Sequence, residues 1–294
     1  METSVYRGRR ALPYLLMLPQ LAVVAVFFYW PALDGAVSSF YRTSAFGGSK
    51  TFAGWDNFAR LFDPSSGYLQ SVKVSVEFAA VVTIAGLAGS LLLAYCASNV
   101  KKGAGFYRVA LIIPYAVAPA VVGMIFRFIF NPASGYLALF LGRFGIEWNP
   151  ALNGAHAFVL VSACAVWANM SYNFVFFYAG LQAIPRSLIE ASSIDGASRW
   201  AQFWRIVFPL LAPTTFFLLV MNLIYAFFET FPIIDVATQG GPGSATTTMV
   251  YGAYRAAFRS LDYGSAGAQS LILMGLIAVL TFFQFKYIDK KSRL

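Results

Sequence analysis

GLQAIPRSLIEASSIDGASRWAQFWRIVFP, residues 180–209, is a charged, amphipathic stretch set between two long apolar runs. Pro185 can open a helix at its first turn, where its missing N–H has no partner to lose. The spacing that follows predicts a helix over residues 187–204. Leu188, Ile189, Ile194, Ala197, Trp200, Ala201 and Trp204 give it an apolar side, and Glu190, Asp195 and Arg199 supply charge. Asp195 and Arg199 stand four apart, the spacing of a helical ion pair. A short amphipathic helix outside the bilayer lies on lipid or docks in a protein groove. A basic polar face would favour lipid; this one is mixed, which favours docking.

The runs on either side are two of six. Stretches at about 11–33, 72–97, 106–130, 156–181, 206–230 and 267–288 each supply the roughly 20 apolar residues that cross a hydrocarbon layer. Composition agrees: of 294 residues 59% are hydrophobic and 11% charged. A soluble protein carries about 25% charged residues, so too few remain here to cover a water-exposed surface. The first run follows Arg7, Arg9 and Arg10 but ends in Phe27-Phe28-Tyr29-Trp30-Pro31. It is too long for a signal peptide and lacks a small-residue cleavage site, so it reads as a retained helix. Alternating the six crossings places thirteen basic residues with the N-terminus and seven opposite, Arg127 being left within the third helix. The positive-inside rule then makes both termini cytoplasmic.

Because the net charge of +9 sits mostly in loops and helix ends, it points away from nucleic acid. Cys96 and Cys164 lie in apolar runs without metal-ligand spacing. Gly47-Gly48-Ser49-Lys50-Thr51 lacks the order of a phosphate-binding loop, and His156 has no Cys, Asp or Glu cluster around it. An enzyme of the membrane would need reactive residues that this pattern does not supply.

Polar groups inside hydrocarbon are costly and face a cavity or a partner. Asn169, Tyr172 and Asn173 share one face of the fourth helix; Asn222, Tyr225 and Glu229 share one face of the fifth. Glu77, Arg127 and Glu229 fall in the outer halves of their helices, where an ion pair among them is geometrically open. Acidic neighbours would cancel much of the field of Arg127. These residues read either as a translocation path or as polar glue between helices. On the second helix Gly86, Ser90 and Ala94 make a small-residue packing face, and Pro114 and Pro119 interrupt the third.

Within the opening stretch, Glu190-Ala191-Ser192, then Gly196 after three residues, Ile206 after nine more, and Pro209 follow the EAA-loop pattern. By these residues the chain resembles the permease subunits of ABC importers. Ser192 for the third motif position and Phe208 for Leu are mild departures. Thr238-Gln239-Gly240-Gly241-Pro242-Gly243 is similar to the carbohydrate-uptake branch. Residues 227–238 and 245–251, with Gln269-Ser270, are similar to permeases of sn-glycerol-3-phosphate uptake.

The resemblance implies an all-α integral membrane fold: one permease domain over residues 1–294, with a core at about 70–290 and a cytoplasmic coupling helix. Glu190, Ala191, Asp195, Gly196, Ile206 and Pro209 would meet an ATPase, Gly196 by allowing close backbone approach. Asn169, Tyr172, Asn173, Asn222, Glu229 and Arg127 are candidates for the path, and Gly240, Gly241, Pro242 and Gly243 for contact with a binding protein. The implied partners are a second permease, an ATPase dimer that holds ATP and Mg, an extracytoplasmic binding protein and the lipid of a bacterial inner membrane. No cofactor is expected in this chain. The implied cargo is glycerol-3-phosphate or a glycerophosphodiester, with a neutral oligosaccharide as the alternative; an ATPase-independent channel or secondary transporter is the rival class.

Overall fold

A computed structural model of the chain describes residues 12–43, 50–100 and 102–291. Arg7, Arg9, Arg10, Lys101, Arg293 and the Gly47-Gly48-Ser49 stretch lie outside the described residues. The chain forms two compact units. One holds the chain up to Ser66 together with Ala253–Ile272; the other holds Gly67–Gly252 and the segment from Leu273 onward.

Among the described residues five helices are long and apolar enough to cross a membrane: Tyr14–Ser38, Tyr68–Asn99, Gly154–Ala183, Ala212–Glu229 and Tyr263–Gln284. The third expected crossing is not one helix. Ala104–Ala116 and Pro119–Ile129 are bent by 100° across a short break, so the pair is a broken span or a re-entrant loop. Proline explains the break. Pro119 forces its predecessor Ala118 out of helical geometry (φ −59°, ψ 139°), and Val117 is extended as well.

Three other prolines are absorbed differently. Each follows a single π-helical turn: Ala25–Tyr29 before Pro31, Phe203–Val207 before Pro209, and Tyr225–Glu229 before Pro232. A helical proline strands the carbonyl four residues earlier and collides with it. Here those carbonyls belong to Phe27, Arg205 and Phe228, all within the widened turns.

The first unit carries a short antiparallel ribbon, Tyr41–Thr43 with Lys50–Phe52, in the register Tyr41 to Phe52. It is a small non-helical element that the apolar runs do not announce. Asn57 pins its base, its amide donating to the carbonyls of Ser39 (2.7 Å) and Tyr41 (2.9 Å), and Arg42 pairs with Asp56 beside it.

The second unit is built on the Tyr68–Asn99 and Gly154–Ala183 helices. Lipid tails are as apolar as leucine, so close packing and hydrogen bonds, more than the hydrophobic effect, hold such helices together. The small face expected on the first of them serves this purpose. Ser90 and Ala94 are fully buried, and the Ser90 hydroxyl donates to the Met170 carbonyl at 3.0 Å. Toward the other end of the pair Ala94 and Ala97 join Phe174, Phe177, Val207, Leu211 and Leu218 in one cluster. That cluster seats the base of the amphipathic stretch.

Candidate functional site: an exposed hairpin and a cavity at opposite ends of one helix

The helix expected over 187–204 is two helices, Arg186–Ile194 and Arg199–Gln202, with a turn between them. The turn has the geometry of a Schellman cap: the Gly196 N–H donates to the Ser193 carbonyl (3.1 Å) and the Ala197 N–H to the Ser192 carbonyl (3.0 Å). Gly196 sits at φ +77°, a conformation that a side chain opposes. Ser198 then caps the second helix, its hydroxyl accepting from the Ala201 N–H, and the Gln202 amide ties the two arms by donating to Ser193 Oγ at 2.9 Å. The break separates Asp195 from Arg199. Arg42–Asp56, Arg60–Asp262 and Lys73–Glu77 form ion pairs, and the expected helical pair of Asp195 with Arg199 is not formed.

What the hairpin presents is apolar and charged together. Ile194 is 87% exposed and Trp200 73%, with Leu188 and Trp204 also exposed beside Glu190 and Asp195. Ala191 and Pro209 are exposed and Ile206 half-buried, whereas Ser192 turns inward.

The polar faces meet midway along the Gly154–Ala183 helix. The amides of Asn169 and Asn173 both donate to Asn222 Oδ1 at 2.9 Å, and the Asn222 amide donates to Asn173 Oδ1 and to the Leu218 carbonyl, each at 2.7 Å. Asn173 and Asn222 have no exposed surface. Gly86 makes the room: a Cβ there would lie 3.4 Å from both Asn173 Nδ2 and Asn222 Oδ1. The neighbours on those faces behave otherwise. Tyr172 is half-buried and stacks with Tyr115, Tyr225 donates to the buried Ala165 carbonyl, and Glu229 is exposed. The ion pair open to Glu77, Arg127 and Glu229 is not made. Glu77 pairs with Lys73, and the Arg127 guanidinium donates to the Val236 carbonyl at 3.1 Å.

The N-terminal end of the Gly154–Ala183 helix borders a cavity of about 300 Å³ lined by Arg127, Asn131, Leu160, Thr238, Gln239 and Pro242 among others. Leu160 is the residue of this helix that lines the cavity, and the rise of 1.5 Å per residue from there to Ala183 puts cavity and hairpin about 35 Å apart along the helix. The 238–243 turn that walls the cavity is held firmly. Gly240 is at φ +79°; the Thr247 hydroxyl donates to its carbonyl at 2.9 Å, and the Thr246 hydroxyl donates to the Gly241 carbonyl at 3.0 Å. Thr246, Thr247 and Thr248 are all buried. Sequence reading singled out the glycines and missed this threonine clasp, whose only local signal is three successive threonines in an otherwise apolar stretch. It missed a cap as well: Asn153 accepts from the N–H groups of Ala155 and His156, at the Asn-before-apolar-run signature of a helix start. His156 is structural, accepting from the Asn149 N–H at 3.1 Å and stacking on Trp148.

Several long apolar helices, one of them with an exposed amphipathic hairpin at one end and a cavity at the other, define a helical integral-membrane protein. The chain belongs to the family of binding-protein-dependent transport system inner membrane components, whose model matches residues 86–294. It is therefore the multi-pass, non-catalytic membrane component of an ABC transporter that works with a binding protein. It is 52% identical to the sn-glycerol-3-phosphate transport system permease protein UgpA of Agrobacterium fabrum, over 98% of each chain. To UgpA of Rhizobium meliloti it is 51% identical over 96% of each, and to that of Shigella flexneri 49% over 98% of this chain and 97% of the other. In fold it matches a chain of a bacterial ABC transporter involved in the import of alginate, with a TM-score of 0.81 over 95% of each chain at 20% identity.

Proposed function

We propose that this chain is one of two permease subunits of an importer for sn-glycerol-3-phosphate or glycerophosphodiesters, working by alternating access. The observation that carries the cargo is identity of about one half, over nearly the whole chain, with permeases named for sn-glycerol-3-phosphate in several bacterial genera. The hairpin supports the coupling role. Glu190, Ala191, Asp195 and Gly196 lie on its exposed surface, where a cleft of a cytoplasmic ATPase would receive them, while Ile206 and Pro209 join it to the next crossing. ATP and Mg belong to that ATPase pair. Closure of the pair would drag the hairpin, and the bundle would shift between two states that the ligands stabilise differently. Both termini are cytoplasmic in this reading, on the side that carries the larger share of basic residues.

Among the candidate path residues, Tyr172, Glu229 and Arg127 remain accessible and suit contact with cargo, whereas Asn169, Asn173 and Asn222 are engaged with one another and hold the path's walls. Gly240–Gly243 lie at the end away from the hairpin, where a binding protein would dock.

The test is to purify the tagged chain with the products of its neighbouring genes and measure ATPase activity with loaded binding protein. Stimulation by glycerol-3-phosphate or a glycerophosphodiester, and not by maltose-like sugars, is expected. Stimulation by sugars alone would overturn the cargo; recovery of the chain with no ATPase bound would overturn the coupling role.

A further inference from the structure

Arg127 was expected to lose its field to acidic neighbours, and the cavity at the end away from the hairpin shows a different arrangement. No residue lining it carries a carboxylate. Asp235, which adjoins Val236 in the chain, accepts a hydrogen bond from the Tyr251 hydroxyl at 3.2 Å. The guanidinium uses Nη1 to hold the Val236 carbonyl, and that bond fixes it against the wall with further N–H donors left over. Asn131 lines the same space. Its Oδ1 accepts from the N–H groups of Ala133 and Ser134, so the group it has left to offer is its NH₂, a donor. Gln239 adds a second amide from the strained turn, at φ +54°. A fixed cation with amide donors around it, walled by apolar Phe130, Leu160 and Pro242, is the chemistry of an oxyanion site.

We infer that this cavity receives the phosphate group of the cargo as it leaves the binding protein, with Arg127 as the recognising charge and Asn131 and Gln239 as supporting donors. The inference rests on the cargo proposed above. It gives the permease an anion filter of its own: a phosphate meets the guanidinium as an ion pair with room for two parallel hydrogen bonds, whereas a neutral sugar of the same size offers it single hydroxyl acceptors without the opposite charge. The site lies most of a helix length from the hairpin, so it acts when cargo is handed over and before the bundle inverts.

The experiment uses the complete importer in proteoliposomes, with glycerol-3-phosphate as cargo, loaded binding protein at varied concentration, and inorganic phosphate as competitor. Arg127→Gln should cut glycerol-3-phosphate moved per ATP hydrolysed by about tenfold or more, the loss expected for a charge-assisted hydrogen bond. It should also abolish competition by excess phosphate, and Arg127→Lys should restore part of both. Gln239→Glu, which keeps the arginine and adds a negative charge, should lower transport per ATP as well, and it decides the matter if the arginine variant fails to assemble. Unchanged cargo per ATP in these variants would overturn the inference. So would a raised half-saturating concentration of binding protein with cargo per ATP intact, because the cavity would then hold a side chain of that protein. No glycerol-3-phosphate uptake by the unaltered importer would instead overturn the proposed cargo.

Discussion

Gly240 and Gly196 have nearly the same backbone, φ +79° and +77°, and opposite surroundings. A Cβ on Gly240 would fall 2.6 Å from Thr247 Oγ1 and 2.7 Å from the Tyr251 ring; one on Gly196 would meet nothing within 4 Å. Both turns need glycine for conformation. At Gly240 the chain's own side chains have already filled the space, and at Gly196 the space is left open. A turn closed by its own molecule is part of the frame, and the turn left open among exposed Ile194 and Trp200 is, in the function proposed, the surface that the ATPase covers.

The largest effect is expected where the frame is closed. Gly240→Ala combines about 1–2 kcal/mol for a side chain in left-handed backbone with about 1–3 kcal/mol of crowding against Thr247 and Tyr251. Yield and thermal midpoint in detergent should both fall sharply, with the 238–248 turn the first segment to lose protection from hydrogen exchange. A variant that melts with the unaltered protein would end the distinction between the two glycines.

Next comes Asn222→Leu. Asn222 accepts two hydrogen bonds and donates two, three of them to a second helix and one along its own, inside a membrane where no water can replace them. Interhelical bonds of this kind average about 0.6 kcal/mol each, and stranded amides add to the loss, so about 1–3 kcal/mol is expected. Asn169→Ala, which removes one of these bonds, should cost well under half as much. Melting temperatures of the two variants in the same detergent make the comparison. Equal losses would mean that the cluster does not act through Asn222.

At the open end the readout changes from stability to coupling. Gly196→Ala should cost about 1 kcal/mol through its backbone alone, and Gly196→Asn little, since asparagine tolerates this conformation. Neither side chain meets anything in the single chain. Gly196→Arg should insert and fold, yet lose stimulation of the ATPase by loaded binding protein, because its bulk occupies the space left for the partner. Normal ATP-driven uptake by the arginine variant would show that the space next to Gly196 is not a docking surface.

Local pattern made some of this legible and long-range contact made the rest. Apolar length located the crossings, and the EAA spacing located the hairpin. Helical periodicity put Asn169 with Asn173 on one face and Asn222 on another, but periodicity says which residues share a face, never what faces them. Whether those amides lined a path or bonded each other depended on Gly86, which belongs to a third helix far off in sequence. Topology sets acidic residues near Arg127, but its guanidinium donates to the Val236 carbonyl, an acceptor that no side-chain pattern announces. The helix over 187–204 was extended through Asp195-Gly196 because its apolar spacing continues past them; the Schellman cap that ends it is carried by glycine's φ and two backbone bonds, to which side-chain periodicity is blind.

Ser192→Ala should have the smallest effect and marks the inner edge of the open surface. Ser192 stands where the EAA pattern carries its second alanine, and of the exposed hairpin's residues it is the one turned inward, 9% exposed. Its hydroxyl donates to the Ile189 carbonyl at 2.8 Å, and the Ser193 hydroxyl donates to the same carbonyl at the same distance. Removing it strands no group, and a serine bonding back along its own helix stabilises that helix little. The change in stability should stay within about 0.5 kcal/mol, and stimulated ATPase activity should match that of the unaltered importer. A marked loss of stimulation at unchanged stability would mean that the partner reaches behind the hairpin to its buried side, and the covered surface would then be larger than the one Gly196, Ile194 and Trp200 define.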